Sequence, residues 1–221
     1  MKDLEFIDWG LISYAEAYQK QKELFEQNIL KKTTSEATHN TVVFCEHPHV
    51  LTLGKNGSQA NLLFSKDFLE EKGVDLFHVD RGGDITYHGP GQIVGYPIID
   101  LENFGIGLKE YIFRLEEAVI RLLDSYQIHA ERLEGATGVW LDTDKPGKTR
   151  KICAIGVRSS RFITMHGFAL NVNTNLDYFR LINPCGFMDK GVTSLETELG
   201  NSVEINKLKV NLRNCLQEVF K

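Results

Sequence analysis

The chain has 221 residues, of which 42% are hydrophobic and 25% are charged. This is the composition of an ordinary globular protein, and it excludes fibrous and disordered classes. The formal net charge of -5 argues against general nucleic-acid binding, which needs a broad basic surface. We therefore expect one globular domain over residues 1–221 that does not bind nucleic acid.

The N-terminal stretch MKDLEFIDWG lacks the basic start and the continuous apolar core of a signal peptide. No apolar run approaches the roughly 18 residues that a membrane span needs. The four cysteines, Cys45, Cys153, Cys185 and Cys215, are widely spaced and form no CxxC pair. The sequence thus predicts a cytoplasmic protein without membrane contact, whose cysteines are free thiols.

Helical and strand patterns follow one another in the first part of the chain. Apolar residues recur at helical spacing over 11–31, which predicts an amphipathic helix. The stretches 41–46 and 49–54 are typical of short strands. Ser65 stands where a capping residue is expected, and predicts a short helix over 66–73.

The second part begins with strand-like stretches on either side of a glycine-rich loop and continues with a strong helical stripe. The predicted strands are 74–80, 93–101, 138–142, 151–158 and 162–172, and the predicted helices are 107–127 and 205–220. Consecutive runs of strands with helices around them are typical of the α+β class rather than of a doubly wound parallel sheet. No linker divides the chain into two domains.

The glycine-rich stretch 81–101, RGGDITYHGPGQIVGYPIIDL, is the most unusual part of the sequence. Gly82, Gly83, Gly89 and Gly91 fall within ten residues, and glycines let another molecule approach the backbone closely. The alternative is a plain hairpin loop, but a hairpin needs fewer glycines and no arginine, histidine and glutamine among them. Neither a P-loop nor the GxGxxG fingerprint matches. We expect this loop to line a binding pocket.

A metal site has to be considered at CEHPH, residues 45–49. Pro48 favours extended backbone, which would place His47 and His49 on the same side of a strand. A structural zinc site usually draws on two ligand pairs, and no second pair is evident. We therefore expect a polar strand end and no bound metal.

Positive charge is concentrated between Asp144 and Asp177, where no acidic residue occurs. The basic residues are Lys145, Lys148, Arg150, Lys151, Arg158 and Arg161. A solvated strand edge is one interpretation, and a surface that attracts acidic protein partners is the other. Lys151 differs from the rest because it opens the apolar run ICAIGV. A lysine that points into a pocket there would be partly desolvated, with its pKa lowered toward the range for acid–base work.

Cys185 lies between Pro184 and Gly186 in LINPCGFMDKGVTSL, a context unfavourable to helix and strand. It is either a small residue filling a turn or a nucleophile presented to a pocket. A neighbouring ammonium would stabilise its reactive thiolate form, but the residues alone leave open whether Lys151 and Cys185 meet. Cys153 is a rival nucleophile, although its apolar strand favours a packed thiol.

Taken together, these motifs resemble the octanoyltransferases of lipoate biosynthesis, the lipoyl(octanoyl) transferase family. The resemblance is carried by RGGDITYHGPGQIVGYPIIDL, FCEHPHVLTLGK, RKICAIGVR, HGFALNVN and INPCGF, which occur in the family's order over about residues 40–195. It implies a single-domain α+β fold of the biotin/lipoate protein ligase type, with a mixed β-sheet flanked by helices. The catalytic domain is expected over about 36–215.

The resemblance also implies a reaction, its partners and its residues. An octanoyl group would move from octanoyl-acyl carrier protein, through a thioester on Cys185, to a lysine of lipoyl domains in dehydrogenase E2 subunits and the glycine cleavage H protein. Lys151 would lower the thiol pKa and act as acid and base, and no cofactor would be needed. The implied pocket residues are Arg81, Gly82, Gly83, Asp84, Ile85, Thr86, Tyr87, His88, Ala154, Ile155, Gly156, Gly167, Phe168 and Ala169.

Three other functions remain open at this point. An ATP-dependent lipoate or biotin ligase of the same fold would need a further loop for the ATP phosphates. A non-catalytic acyl- or lipoyl-binding module would tolerate loss of Cys185. A zinc hydrolase built on His47 and His49 is a more distant alternative.

Overall fold

A computed structural model describes residues 3–55, 57–58, 61–183 and 190–221. The strands are β1 (Glu5–Leu11), β2 (Thr41–Glu46), β3 (Val50–Leu53), β4 (Asp75–His78), β5 (Ile85–His88), β6 (Gln92–Ile98), β7 (Glu131–Leu133), β8 (Ala136–Leu141), β9 (Arg150–Ser160), β10 (Ile163–Asn171) and β11 (Gly191–Val192). The helices are α1 (Tyr14–Thr33), α2 (Lys66–Glu71), α3 (Leu101–Phe104), α4 (Leu108–Asp124), α5 (Leu195–Leu199) and α6 (Ile205–Val219), with a 3-10 helix at Leu176–Leu181.

A large mixed sheet forms the centre of the described part of the chain. Its strand order is β1-β2-β6-β10-β9-β8-β7, and β11 pairs with β9. The pairs β1–β2 and β11–β9 are parallel, and the other pairs of this sheet are antiparallel. A smaller sheet has the order β4-β3-β5. The predicted α+β class with a mixed sheet is confirmed.

One face of the large sheet is covered by α4 and α6. The apolar stripe of α4 buries Leu115, Val119 and Leu122 in the main core, and α6 contributes Leu208 and Leu212. Full burial of each such side chain stabilises the fold by about 1.5–3 kcal/mol. This core holds the sheet rigid behind the strands that carry the candidate site.

The opposite face of the large sheet packs against α1 and faces the smaller sheet. Ser13 caps α1 by accepting from the Glu16 N–H, and Ala17 and Phe25 pack against the sheet in a second core. The smaller sheet has an apolar cluster of its own, built on β3, α2 and the 3-10 helix. In the described ranges, no helix is long and apolar enough to cross a membrane.

Two local predictions are corrected by the structure. Leu11 ends strand β1 rather than starting a helix, and α1 begins at Tyr14. The stretch between the predicted strands 74–80 and 93–101 is not loop throughout, because it contains β5, which pairs with β3. The capped helix at Ser65 is confirmed, since its hydroxyl accepts from the Phe68 N–H.

Candidate active site

A cavity lies between the α1-side face of the large sheet and the segment that leads into β5. It encloses about 1000 Å³ of empty space, part of it open to solvent. Most of the sequence-predicted pocket residues line it, namely Arg81, Gly83, Asp84, Ile85, Thr86, His88, Ala154, Ile155, Gly156, Gly167, Phe168 and Ala169. The structure therefore brings the predicted segments 81–88, 154–156 and 167–169 together around one cavity.

Gly82 and Tyr87 are not among the cavity-lining residues. The Gly82 N–H donates to the Val157 carbonyl (2.9 Å), which ties the glycine-rich loop to β9. A side chain on Gly156 would come within 2.8 Å of the Gly82 carbonyl, so only a glycine allows this approach. Tyr87 is buried and stacks on Tyr178, with ring centroids 5.1 Å apart.

Arg81 is buried, and its guanidinium bonds the protein's own backbone. One nitrogen donates to the Thr52 carbonyl (2.7 Å) and hydroxyl (2.9 Å), and another donates to the Gly82 carbonyl (3.0 Å). These bonds fasten the start of the glycine-rich loop to β3. Arg81 thus shapes the wall of the cavity as well as lining it.

His47 and His49 lie in the bend between β2 and β3, not on a strand as predicted. The two nitrogens of His47 contact the Ile12 carbonyl (2.8 Å) and the Tyr96 hydroxyl (2.7 Å), and burial lowers the pKa of this histidine. His49 contacts the Tyr87 hydroxyl (2.8 Å). No group of three or more potential metal ligands occurs among the residues that the structure describes.

A chain of buried hydrogen bonds runs along the cavity wall from β5 to Thr193, the residue after β11. His88 donates from Nδ1 to the Gln92 side-chain carbonyl (2.8 Å). The Gln92 amide donates to Asn171 (2.9 Å), whose own amide donates to the Thr193 carbonyl (3.0 Å). Burial, with help from His47, lowers the pKa of His88 to about 3, so this ring is neutral.

Lys151 reaches the cavity because of a β-bulge. On β8, Val139 pairs with Cys153 and the next residue, Trp140, pairs with Lys151, so Ile152 is an extra residue on β9. Ile152 and Cys153 consequently both pack in the main core. Simple alternation would turn Lys151 toward that core as well. The bulge instead turns it to the cavity face, since a bulge re-aims the side chains beyond it.

The Lys151 ammonium lies over the Trp140 ring, 4.5 Å from the ring centroid, and both residues line the cavity. Beside them, β11 pairs with β9 so that Val192 is opposite Lys151. Lys190 and Gly191 also line the cavity. Sequence reasoning missed Trp140, Asn171 and Lys190, although the first lies in a predicted strand and the second in the quoted motif HGFALNVN.

Cys185 falls in 184–189, outside the described residues. Of the other thiols, Cys45 and Cys153 are fully buried, and burial raises the pKa of both far above its ordinary value. Burial also raises the pKa of Cys215. Because the thiolate is the nucleophilic form, these three cysteines are unsuited to attack a substrate. The expected packing of Cys153 in an apolar strand is confirmed.

The basic run 145–161 does not form a uniformly positive patch. Arg150 pairs with Asp142 and, at 2.7 Å, with Glu198. Arg158 pairs with Asp80. These carboxylates lie outside the run, so part of the positive charge that the sequence concentrates here is neutralised in space.

The family model for the lipoyl protein ligase A/B catalytic domain matches residues 18–217. The chain therefore belongs to the lipoyl protein ligase A/B catalytic-domain family.

The more specific comparison comes from relatives with high identity. The chain is 56% identical to an octanoyltransferase of Parabacteroides distasonis over the whole of both chains. It is 58% identical to an octanoyltransferase of Bacteroides fragilis, over 93% of this chain and 92% of that one. The protein is accordingly an acyltransferase enzyme of the octanoyltransferase kind, as the sequence motifs predicted.

Solved structures agree on the fold. A bipartite lipoate protein ligase from Thermoplasma acidophilum, described with its E2 lipoyl domain, has a TM-score of 0.72 at 15% identity and covers 98% of this chain and 83% of that one. A biotin protein ligase from Aquifex aeolicus, solved with biotin and ATP, has a TM-score of 0.54 at 14% identity, covering 100% and 71%. At such identities the likeness shows the fold alone.

Proposed function

We propose that the protein transfers an octanoyl group from octanoyl-acyl carrier protein to the ε-amine of a specific lysine on lipoyl domains. The acceptors would be the lipoyl domains of 2-oxoacid dehydrogenase E2 subunits and the glycine cleavage H protein, in the cytoplasm. This is the first step of endogenous protein lipoylation. The observation that carries the proposal is the position of Lys151. Its ammonium lies over Trp140 in the cavity, beside β11, the strand that follows Cys185 in the chain.

In the first half-reaction Cys185 is the nucleophile. The Lys151 ammonium stabilises the Cys185 thiolate, which attacks the thioester carbonyl of the donor. A bond forms between the cysteine sulfur and the acyl carbon, and the bond to the carrier's sulfur breaks. Lys151 gives its proton to the departing carrier thiolate, so the first half-reaction leaves an octanoyl thioester on Cys185 and a neutral lysine.

In the second half-reaction the acceptor lysine attacks the thioester. Neutral Lys151 takes the proton that the attacking amine must lose. The amide bond forms as the bond to the Cys185 sulfur breaks, which restores the thiolate beside the Lys151 ammonium. Both proton transfers use the same side chain, so the reaction needs no cofactor. The reaction also needs no ATP, because the acyl group of the donor thioester is already activated.

The cavity suits an acyl chain in size and lining. Gly156 lies five positions after Lys151 on β9, a distance of about 17 Å at ~3.3 Å per residue. Apolar side chains, including Ile85, Val94 and Ala169, line the cavity. At about 0.8 kcal/mol per buried methylene, an octanoyl chain gains several kcal/mol of binding there. We propose the twelve predicted residues that line the cavity as the binding site for the octanoyl chain.

Intact-mass analysis after incubation with octanoyl-acyl carrier protein tests the proposal. We expect the mass to rise by one octanoyl group and the adduct to be absent in Cys185→Ala. Cys153→Ala should form the adduct as the wild-type protein does. An adduct that survives in Cys185→Ala would disprove the assignment of the nucleophile. Acylation of a lipoyl domain from free octanoate and ATP, but not from the carrier, would mean an ATP-dependent ligase instead.

A further inference from the structure

The bulge that aims Lys151 is supported from the far side of the sheet. Glu116 lies on α4, which packs against the face of the sheet opposite the cavity. Its carboxylate reaches β8, where it accepts from the Gly138 N–H at 3.0 Å. It also accepts from the Arg132 guanidinium at 3.1 Å. A carboxylate thus holds the strand residue two positions before Trp140.

The environment of Glu116 is unusual for a carboxylate. The residue is only 7% exposed, and burial raises its pKa, opposed by the Gly138 N–H and by Arg132. Few acidic side chains are buried unless they are paired. Replacement of a buried ion pair by apolar residues is often neutral or stabilising, so the fold alone does not call for Glu116.

Gly138 connects this carboxylate to the bulge. Its φ is +120°, a conformation that favours glycine, and a side chain there would come within 2.6 Å of the Cys153 carbonyl. The same added carbon would lie 3.5 Å from Cδ and Cε of Lys151. The stem of Lys151 therefore runs past Gly138, directly beside the irregular pairing of β8 and β9.

We propose that Glu116 is a positioning residue for Lys151. By holding the Gly138 N–H it fixes the bulge between β8 and β9, and the bulge turns the Lys151 ammonium onto Trp140 and into the cavity. The geometric part of this inference stands on the contacts above. Its catalytic consequence rests on the proposed function of Lys151.

A fluorescence titration reads the geometry without any substrate. The chain has two tryptophans, so a Trp9→Phe background leaves Trp140 as the single emitter. The Lys151 ammonium lies over the Trp140 ring, so loss of its proton changes the Trp140 emission and produces a step in the titration. The part of the titration that disappears in Lys151→Met, made in the same background, is the step due to Lys151. We expect Glu116→Ala to lose the step. Glu116→Gln, whose amide oxygen still accepts from Gly138, should keep it.

Glu117 provides the matched control. It lies next to Glu116 on α4 and bonds Arg132 (2.8 Å) and Arg121 (2.9 Å). It has no bond to β8 among those that the described residues make in the structure. Glu117→Gln should leave the titration unchanged. Circular dichroism and thermal unfolding of each variant verify that it is folded when the titration is recorded.

Acyl-transfer kinetics complete the experiment. We expect Glu116→Ala to lower kcat by between about tenfold and a hundredfold, as for a misplaced catalytic group, with KM unchanged and with rescue by Glu116→Gln. A Lys151-dependent step that persists in folded Glu116→Ala would overturn the inference. If Glu116→Ala loses the Lys151-dependent fluorescence step but keeps its kcat, the positioning role of Glu116 is supported and the proposed catalytic role of Lys151 is contradicted.

Discussion

Asn171→Leu should weaken both the fold and the acyl transfer, because Asn171 is the last side chain in the buried hydrogen-bond chain from His88 to Thr193, the residue after β11. Leucine has the same shape but neither donor nor acceptor. The substitution would leave one Gln92 N–H and the Thr193 carbonyl without their present partner. Each buried group left unsatisfied costs about 1–3 kcal/mol, so we expect the free energy of unfolding to fall by about 2–6 kcal/mol.

Urea denaturation measures that change, and the control is Asn173→Leu. Asn173 also makes two side-chain bonds, to the Val203 carbonyl (2.8 Å) and N–H (2.9 Å), but it does not contact β11 through them. Both variants should lose stability, and only Asn171→Leu should lose acyl transfer in its folded fraction, because Thr193 donates its N–H to the Lys151 carbonyl (2.9 Å). Unaltered stability of Asn171→Leu, or equal activity losses in both variants, would refute the reasoning.

Two further predictions concern charged groups. Lys151→Met should slow alkylation of Cys185 by iodoacetamide at neutral pH, because the thiolate loses the ammonium that stabilises it. Peptide mass spectrometry measures the alkylation rate. Equal rates in the variant and the wild-type protein from pH 5 to 9 would mean that Lys151 does not lie near Cys185. The hydrogen bond from His166, together with Arg158, holds the pKa of Asp80 below its ordinary value near 3.8, so this carboxylate stabilises the fold above that pH and less as the pH falls below it. In Asp80→Asn the free energy of unfolding, measured by urea denaturation, should therefore fall less steeply below about pH 4 than in the wild-type protein. The same pH dependence in both proteins would contradict this.

The sequence predicts the fold class and the segments around the cavity because both follow from local patterns. The stripe of α4 and the apolar runs of β6, β9 and β10 are visible as periodicities. Strand β5 was missed because its four residues lie among glycines, which are typical of loops. Strand β1 was not predicted, and its last residue, Leu11, was assigned to the helix because its spacing continues the helical pattern of α1.

The orientation of Lys151 could not be predicted, for a physical reason. Strand alternation puts Lys151 and Cys153 on one face, and only the extra residue Ile152 separates them. That bulge is stabilised by Glu116, which is 22 residues from Gly138 in sequence. Likewise, the carboxylates that neutralise Arg150 and Arg158 lie as far as 48 and 78 residues away. Contacts of such separation leave no periodic signal in a single sequence.

The neutralised arginines change what the basic run 145–161 can do for acidic carrier proteins. Arg150 is held between Asp142 and Glu198, so reversing its charge would damage the fold rather than test docking. Lys148 and Arg161 are exposed, and they lie at opposite ends of β9. Lys148 precedes Thr149, whose carbonyl accepts from the cavity-lining Gly191 (2.9 Å).

Arg161 is ten residues beyond Lys151, about 30 Å away at ~3.3 Å per residue. Salt screens exposed charges beyond about 8–10 Å at physiological ionic strength, so only the charge near Lys151 should act on a carrier docked at the cavity. Lys148→Glu should raise the KM for octanoyl-acyl carrier protein and flatten its salt dependence, with kcat unchanged. Arg161→Glu, the matched control, should leave KM as it is. Steady-state kinetics at several salt concentrations measure both, and a small octanoyl thioester without a carrier should show no effect of either change. Equal KM increases from both reversals would mean that net charge, rather than a local surface beside Lys151, governs the encounter.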